Sequence, residues 1–176
     1  MLNVEGRVIM GVILELARTK MQVRELELKL IRYETLYPVV TPVTDLTMIE
    51  RGEYLERFRQ VGISSLALLD SKLSITSKVE LDRMAPYLVY PADFYAIDIW
   101  DCEDYGIQAQ CDAGHKFGVN GVRLGLGNVP GGYHGFVITM DKDGNIWWLE
   151  PNAGFEYAGV WYKIGMYGYQ PDKVFA

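Results

Sequence analysis

Cysteine and histidine are scarce: Cys102, Cys111, His115 and His134 are the only ones in 176 residues. Two cysteines cannot build a disulfide framework or a cysteine-rich zinc site, so a reducing compartment is expected. Positive charge is also in short supply. Against 23 acidic residues stand 17 Lys and Arg, giving a net charge of −6, and no stretch gathers the basic ones into a stripe. A phosphate backbone therefore finds nothing to neutralise it, and nucleic acid is excluded as an expected partner. Long hydrophobic runs are missing as well. The apolar stretch Val8 to Leu14 meets Glu15 at once and is followed by no small-residue cleavage signature. Neither a signal peptide nor a membrane contact is expected, and the expected location is the cytoplasm.

The chain does have apolar content, 49% of it, which is enough for one domain with a real core. Its glycines concentrate in the second half, between strand-like segments. The expected class is α+β. Residues 1–90 read as a helical N-terminal part, a scaffold or an oligomerisation arm. Residues 91–176 read as a helix plus an antiparallel β-sheet, the two parts packing into one globular domain.

From Val4 to Leu30 apolar residues recur at helical spacing, with Ile9, Leu16, Val23 and Leu30 seven apart and Val12 and Leu26 between them. This predicts one long amphipathic helix, packed on its own domain or pairing with a second copy as a homo-oligomer. Pro38 and Pro42 interrupt the pattern. Thr47-x-x-Glu50 and Ser77-x-x-Glu80 each have the form of a capping box, predicting a helix through Tyr54 and Phe58 to Gly62 and a shorter one ended by Pro86. Leu66 to Ile75 is apolar and fits either buried strand or helix.

Asp101 predicts the N-cap of a helix starting at Cys102 and stopped by Gly114. A strand over Val119 to Leu126 and a loop from Asn128 to Gly132 should follow. The strand Tyr133 to Met140 then turns over Asp141 to Asn145 and returns through Ile146 to Glu150. With that five-residue turn, Met140 faces Ile146 and Ile138 faces Trp148, and His134, Glu150 and Asn152 share one face of the sheet. A two-residue turn at Asp143-Gly144 would put Glu150 on the other face. Asp141-x-Asp143-x-Asn145 opens like a calcium loop, but Gly144 is misplaced and the twelfth-position Glu is missing, so a turn is the better account. Pro130 rules out a dinucleotide fingerprint in the glycine-rich stretch before the hairpin.

One cysteine at a helix start, one histidine and one carboxylate on consecutive strands supply a nucleophile, a base and an orienting acid. Cys102 is the candidate nucleophile, His134 the base, Glu150 the orienter and Asn152 its reserve. The helix N-terminus favours a thiolate, whereas the neighbouring anions Asp101, Glu103 and Asp104 oppose it, so an imidazolium at His134 must outweigh them. With Asp98, the same acids form a cluster able to hold a hard cation. Cys111 lies half a turn away around the helix and reads as core; His115 reads as a polar turn residue.

At these residues the chain resembles the papain-like cysteine peptidase domain at the C-terminus of the Marasmius-type fungal agglutinin and related small bacterial and phage proteins. The resemblance rests on the aromatic approach to Asp101-Cys102-Glu103-Asp104, on Gly132-Tyr133-His134-Gly135, and on Ile146-Trp147-Trp148-Leu149-Glu150-Pro151. It spans Tyr95 to Asn152. It implies a papain-like fold and hydrolysis of a peptide or isopeptide bond in a protein substrate, with Cys102, His134 and Glu150 as the triad. No cofactor is required, although the agglutinin's calcium dependence makes Asp101, Glu103 and Asp104 candidate ligands. A phage origin would place the chain in a virion or the host cytoplasm. Tyr95 to Asp98 hold no glutamine where papain relatives place one, so backbone N–H groups at the start of the Cys102 helix are left to serve an oxyanion. Two non-catalytic alternatives stand: a structural or host-interaction protein on the same scaffold, binding through Trp147, Trp148, Trp161 and the tyrosines from Tyr157 to Tyr169, and a carbohydrate-binding module using those rings.

Overall fold

The computed structural model describes residues 4–36, 39–67 and 70–175. The chain forms two compact units, Met1–Val39 and Val40–Ala176. Residues 40–90 thus belong to the same unit as the sheet.

The first unit is a single helix, α1 (Val4–Leu36). Leu26 to Leu30, whose alternation also suits a strand, lie within it. No described helix is long and apolar enough to cross a membrane.

The second unit is a mixed α+β structure. Its elements run β1 (Thr47–Glu50), α2 (Arg51–Gln60), β2 (Ser64–Ala67), β3 (Lys72–Ile75), α3 (Lys78–Met84), α4 (Cys102–Phe117), β4 (Arg123–Val129), β5 (Gly132–Met140), β6 (Ile146–Leu149), β7 (Tyr162–Lys163) and β8 (Gln170–Phe175). A six-stranded sheet has the order β2-β8-β4-β5-β6-β7, and β1 pairs with β3 in a small second sheet. All neighbours in the large sheet are antiparallel except β2 and β8.

Strand β5 divides the core by its two-residue alternation. Val137 joins Tyr105, Ala109, Ala113 and Phe117 of α4, with Leu81, Met84 and Leu88 behind them. Phe136, Ile138 and Met140 join Tyr54 and Phe58 of α2, Leu73 and Ile75 of β3, and Trp148. Phe136, Ile138 and Trp148 are fully buried, each contributing about 1.5–3 kcal/mol by removal from water.

Several boundaries depart from the sequence reading. Thr47-x-x-Glu50 is not a capping box: these residues form β1, pairing Thr47 with Ile75 through Glu50 with Lys72, and α2 starts at Arg51 without a side-chain cap. Cross-strand bonding there displaces a local motif of modest strength. Ser77 does cap α3, accepting from the Glu80 N–H. Helix α4 runs past Gly114 and stops at Gly118, whose φ of +77° is the left-handed conformation expected of a C-terminal glycine. Strands β4 and β5 continue to a two-residue turn at Pro130-Gly131, so the expected loop from Asn128 to Gly132 is mostly ladder. The region between Leu66 and Ile75 supplies the end of β2 and all of β3; Leu68 and Leu69 lie outside the described residues.

The β5–β6 hairpin has the expected register, with Met140 opposite Ile146 and Ile138 opposite Trp148. Asp141 makes this turn. Buried at 1% exposure, it accepts from the backbone N–H groups of Asp143 and Asn145 at 2.9 Å each and from Trp147 Nε1 at 2.7 Å.

Candidate functional site

Cys102 is the first residue of α4 and is partly exposed. Asp101 precedes it in extended conformation, and its N–H donates to Asp104 Oδ2 at 3.2 Å, so the third helical residue ties down the cap. The Asp101 carboxylate accepts the Asp98 N–H at 3.2 Å. Glu103 turns toward the sulfur instead: the Cys102 thiol donates to its Oε2 at 3.4 Å.

His134 lies near the start of β5 and is 8% exposed, while Glu150, one residue beyond β6, is fully buried. His134 Nε2 and Glu150 Oε2 are 2.7 Å apart. Burial by itself lowers the imidazole pKa, but hydrogen bonds to Cys102 and Glu150 and the charges of both outweigh it and raise the value to about 9.

The carboxylate is held from two further directions. Asn152 donates its backbone N–H to Glu150 Oε1 at 3.0 Å, and Tyr169 donates its phenolic O–H to Oε2 at 3.1 Å. Asn152 therefore supports the acid through its main chain; its side-chain Oδ1 accepts from the Gly154 N–H. Tyr169 is buried and stacks on Trp148, ring centroids 3.7 Å apart and planes 2° from parallel. Desolvation first, then the Glu150 charge, push its phenol pKa well up, so it remains a donor. Phe155 stacks on the His134 ring at 4.6 Å and 29°.

Gly135 permits the approach of helix to strand. A Cβ at this position would lie 3.1 Å from Cys102 C, Cys102 O and Glu103 N, so with a side chain here the first turn of α4 and β5 would have to give by a few tenths of an ångström.

The other candidates lie elsewhere. Cys111 is exposed, not core, because the buried line of α4 runs through Tyr105, Ala109, Ala113 and Phe117. His115 is on the last turn of α4 rather than in a loop, and is exposed. Gln110 accepts from the Leu124 N–H at 2.8 Å and ties α4 to β4. Asp101, Cys102 and Glu103 offer ligand atoms within 4.8 Å of one another. Two carboxylates and a thiol do not fit calcium, which takes six to eight oxygens, and Asp104 is engaged at the helix cap. Trp148, Trp161 and Tyr169 are buried, Trp147, Tyr157 and Tyr162 are partly buried and Tyr167 is exposed, so only part of the expected aromatic contact patch is interior.

Two contributors escaped the sequence reading. Tyr169 precedes a strand that joins β4 from the far end of the chain, and Phe155 sits in a loop; neither has a pattern linking it to His134.

No family model matches the chain, and no curated protein matches it. Among solved structures, one titled "PSL1a-E64 complex" is similar at 14% identity and a TM-score of 0.53, covering 73% of this chain and 51% of that one. The likeness is one of fold. This chain spans about half the length of that structure.

Proposed function

We propose that the protein is a papain-like cysteine hydrolase that cleaves a peptide or isopeptide bond through a thioester on Cys102. The observation that carries this reading is the buried 2.7 Å contact of His134 Nε2 with Glu150, on the strand against which the first turn of α4, carrying Cys102, closely packs. A cysteine, an imidazole and a carboxylate that bonds the imidazole are the parts of a nucleophile, a base and its orienter.

In this mechanism the Cys102 sulfur adds to the substrate carbonyl carbon, and backbone N–H groups at the start of α4 receive the oxyanion. Collapse of the adduct breaks the C–N bond, and the leaving amine takes its proton from His134. Water then attacks the thioester. His134 accepts the water's proton, the C–S bond breaks, the acid leaves, and the thiol–imidazole pair is restored. Glu150 fixes the ring's orientation and balances its positive charge, and Tyr169 and Asn152 fix Glu150. No cation enters these steps.

The reading draws further support from the motif resemblance to the agglutinin peptidase domain and from the fold likeness to a structure whose title names a complex with E64. Labelling by iodoacetamide at pH 7, followed by intact mass, tests it. The fast phase should survive Cys111→Ala and vanish in Cys102→Ala, and E64 should compete only for Cys102. Equal labelling of both single variants would remove the proposal.

A second reading is a non-catalytic papain-like scaffold. The Glu103 carboxylate against the sulfur favours it, since an anion there opposes a thiolate. Slow labelling of Cys102, at the rate of an ordinary exposed thiol, would select it.

A further inference from the structure

Helix α1 is 33 residues, about 50 Å, and its exposed side chains include Val12, Leu16, Val23, Leu26 and Leu30. A single helix cannot cover its own apolar stripe, so something else must. Written as heptads, Leu16, Val23 and Leu30 occupy the first core position, and Val12, Thr19, Leu26 and Tyr33 the second. Thr19 is the one hydroxyl-bearing residue of small size in this seam, and its Oγ1 already donates to the Glu15 carbonyl at 3.0 Å, so burying it strands no donor.

Residues flanking the seam indicate which partner fits. In a parallel, in-register pair each position before a core residue faces the position five residues later on the other helix. Glu15 then meets Lys20, Lys29 meets Glu34, and Gln22 meets Glu27. Both ionic contacts are of opposite sign, each forms twice by symmetry, and no like charges oppose one another. Lys29 also pairs with Glu25 of its own helix at 2.7 Å, leaving further donors on the ammonium for Glu34 of the other copy. A second apolar stripe, Leu14, Met21 and Leu28, is the rival seam, but pairing along it would bring Arg24 into the core beside Ala17. The first stripe buries no charge.

We propose that α1 is a dimerisation helix that pairs with α1 of a second copy as a parallel, in-register, two-stranded coiled coil. The proposal is independent of the hydrolase reading.

The full chain, measured by sedimentation equilibrium, should show twice the monomer mass of 20.0 kDa. Leu26→Asp should give monomer while the labelling rate of Cys102 is unchanged, which shows that the second unit still folds. Lys20→Glu sets Glu15 against a new acid and should weaken the dimer by about tenfold or more, and the swap Glu15→Lys/Lys20→Glu should restore it. In a Cys102→Ala/Cys111→Ala background, Val12→Cys should form a homodisulfide under mild oxidation, because only the parallel arrangement brings residue 12 to its counterpart. A wild-type monomer with α1 packed on its own chain, a mass other than two copies, a dimer indifferent to the charge changes, or no cross-link at residue 12 would each overturn the proposal.

Discussion

Tyr169 donates its phenolic proton to Glu150 at 3.1 Å, on the same carboxylate oxygen that meets His134 at 2.7 Å. One Glu150 oxygen is therefore shared between an imidazole and a phenol. A fully buried carboxylate loses its water and needs such hydrogen-bond partners in exchange.

Replacing Tyr169 by Phe keeps the stack on Trp148 and removes only the donor. Glu150 then concentrates its charge on His134, and the imidazole titration midpoint, followed by NMR of the ring protons, should rise. Stability should fall by about 1–3 kcal/mol in urea denaturation, the range for a lost hydrogen bond to a charged group. An unchanged midpoint would mean that Tyr169 is packing alone.

Gly135→Ala places a methyl group 3.1 Å from the Cys102 carbonyl and the Glu103 nitrogen. Strand or helix must move by a few tenths of an ångström, separating sulfur from imidazole. The expected outcome is a drop of about tenfold or more in the Cys102 labelling rate with secondary structure by circular dichroism intact. Wild-type reactivity would show that the approach is not needed.

Glu103→Gln removes the anion 3.4 Å from the sulfur while keeping its shape. A thiolate becomes easier to form, and iodoacetamide labelling of Cys102 at pH 7 should speed up several-fold. A slower rate would mean that Glu103 helps to take the thiol proton rather than opposing its loss.

The pH dependence of stability follows from His134. Its folded pKa is raised to about 9 from the ordinary value of 6.5, so the protonated ring stabilises the fold fully below 6.5, and this contribution is lost as pH rises through 9. The difference in unfolding free energy between wild type and His134→Gln should shrink by about 3 kcal/mol between pH 6 and pH 10. A difference constant over that window would show that the ring is not charged in the fold.

What was legible in the sequence was local. Asp141 fixes the hairpin turn through bonds to residues no more than six positions away, so the register and the shared face of His134 and Glu150 followed from turn chemistry and side-chain alternation. Ser77 and the cap before Cys102 were legible for the same reason: each bonds within one helical turn. The heptad spacing of α1 likewise needs nothing beyond its own segment.

Tertiary structure decided the rest, because those outcomes depend on groups distant in the chain. Thr47 to Glu50 became a strand once β3 offered a ladder, and Gly114 passed as an ordinary helical residue because Ala113 and Phe117 bury the turn around it. Tyr169 reaches Glu150, and Phe155 covers His134, only after β8 has joined β4 and the loop beyond β6 has folded back. Local bonds set which residues could serve as nucleophile, base and acid, whereas long-range burial determined how the acid is held, which ring covers the base, and how closely the helix approaches the strand.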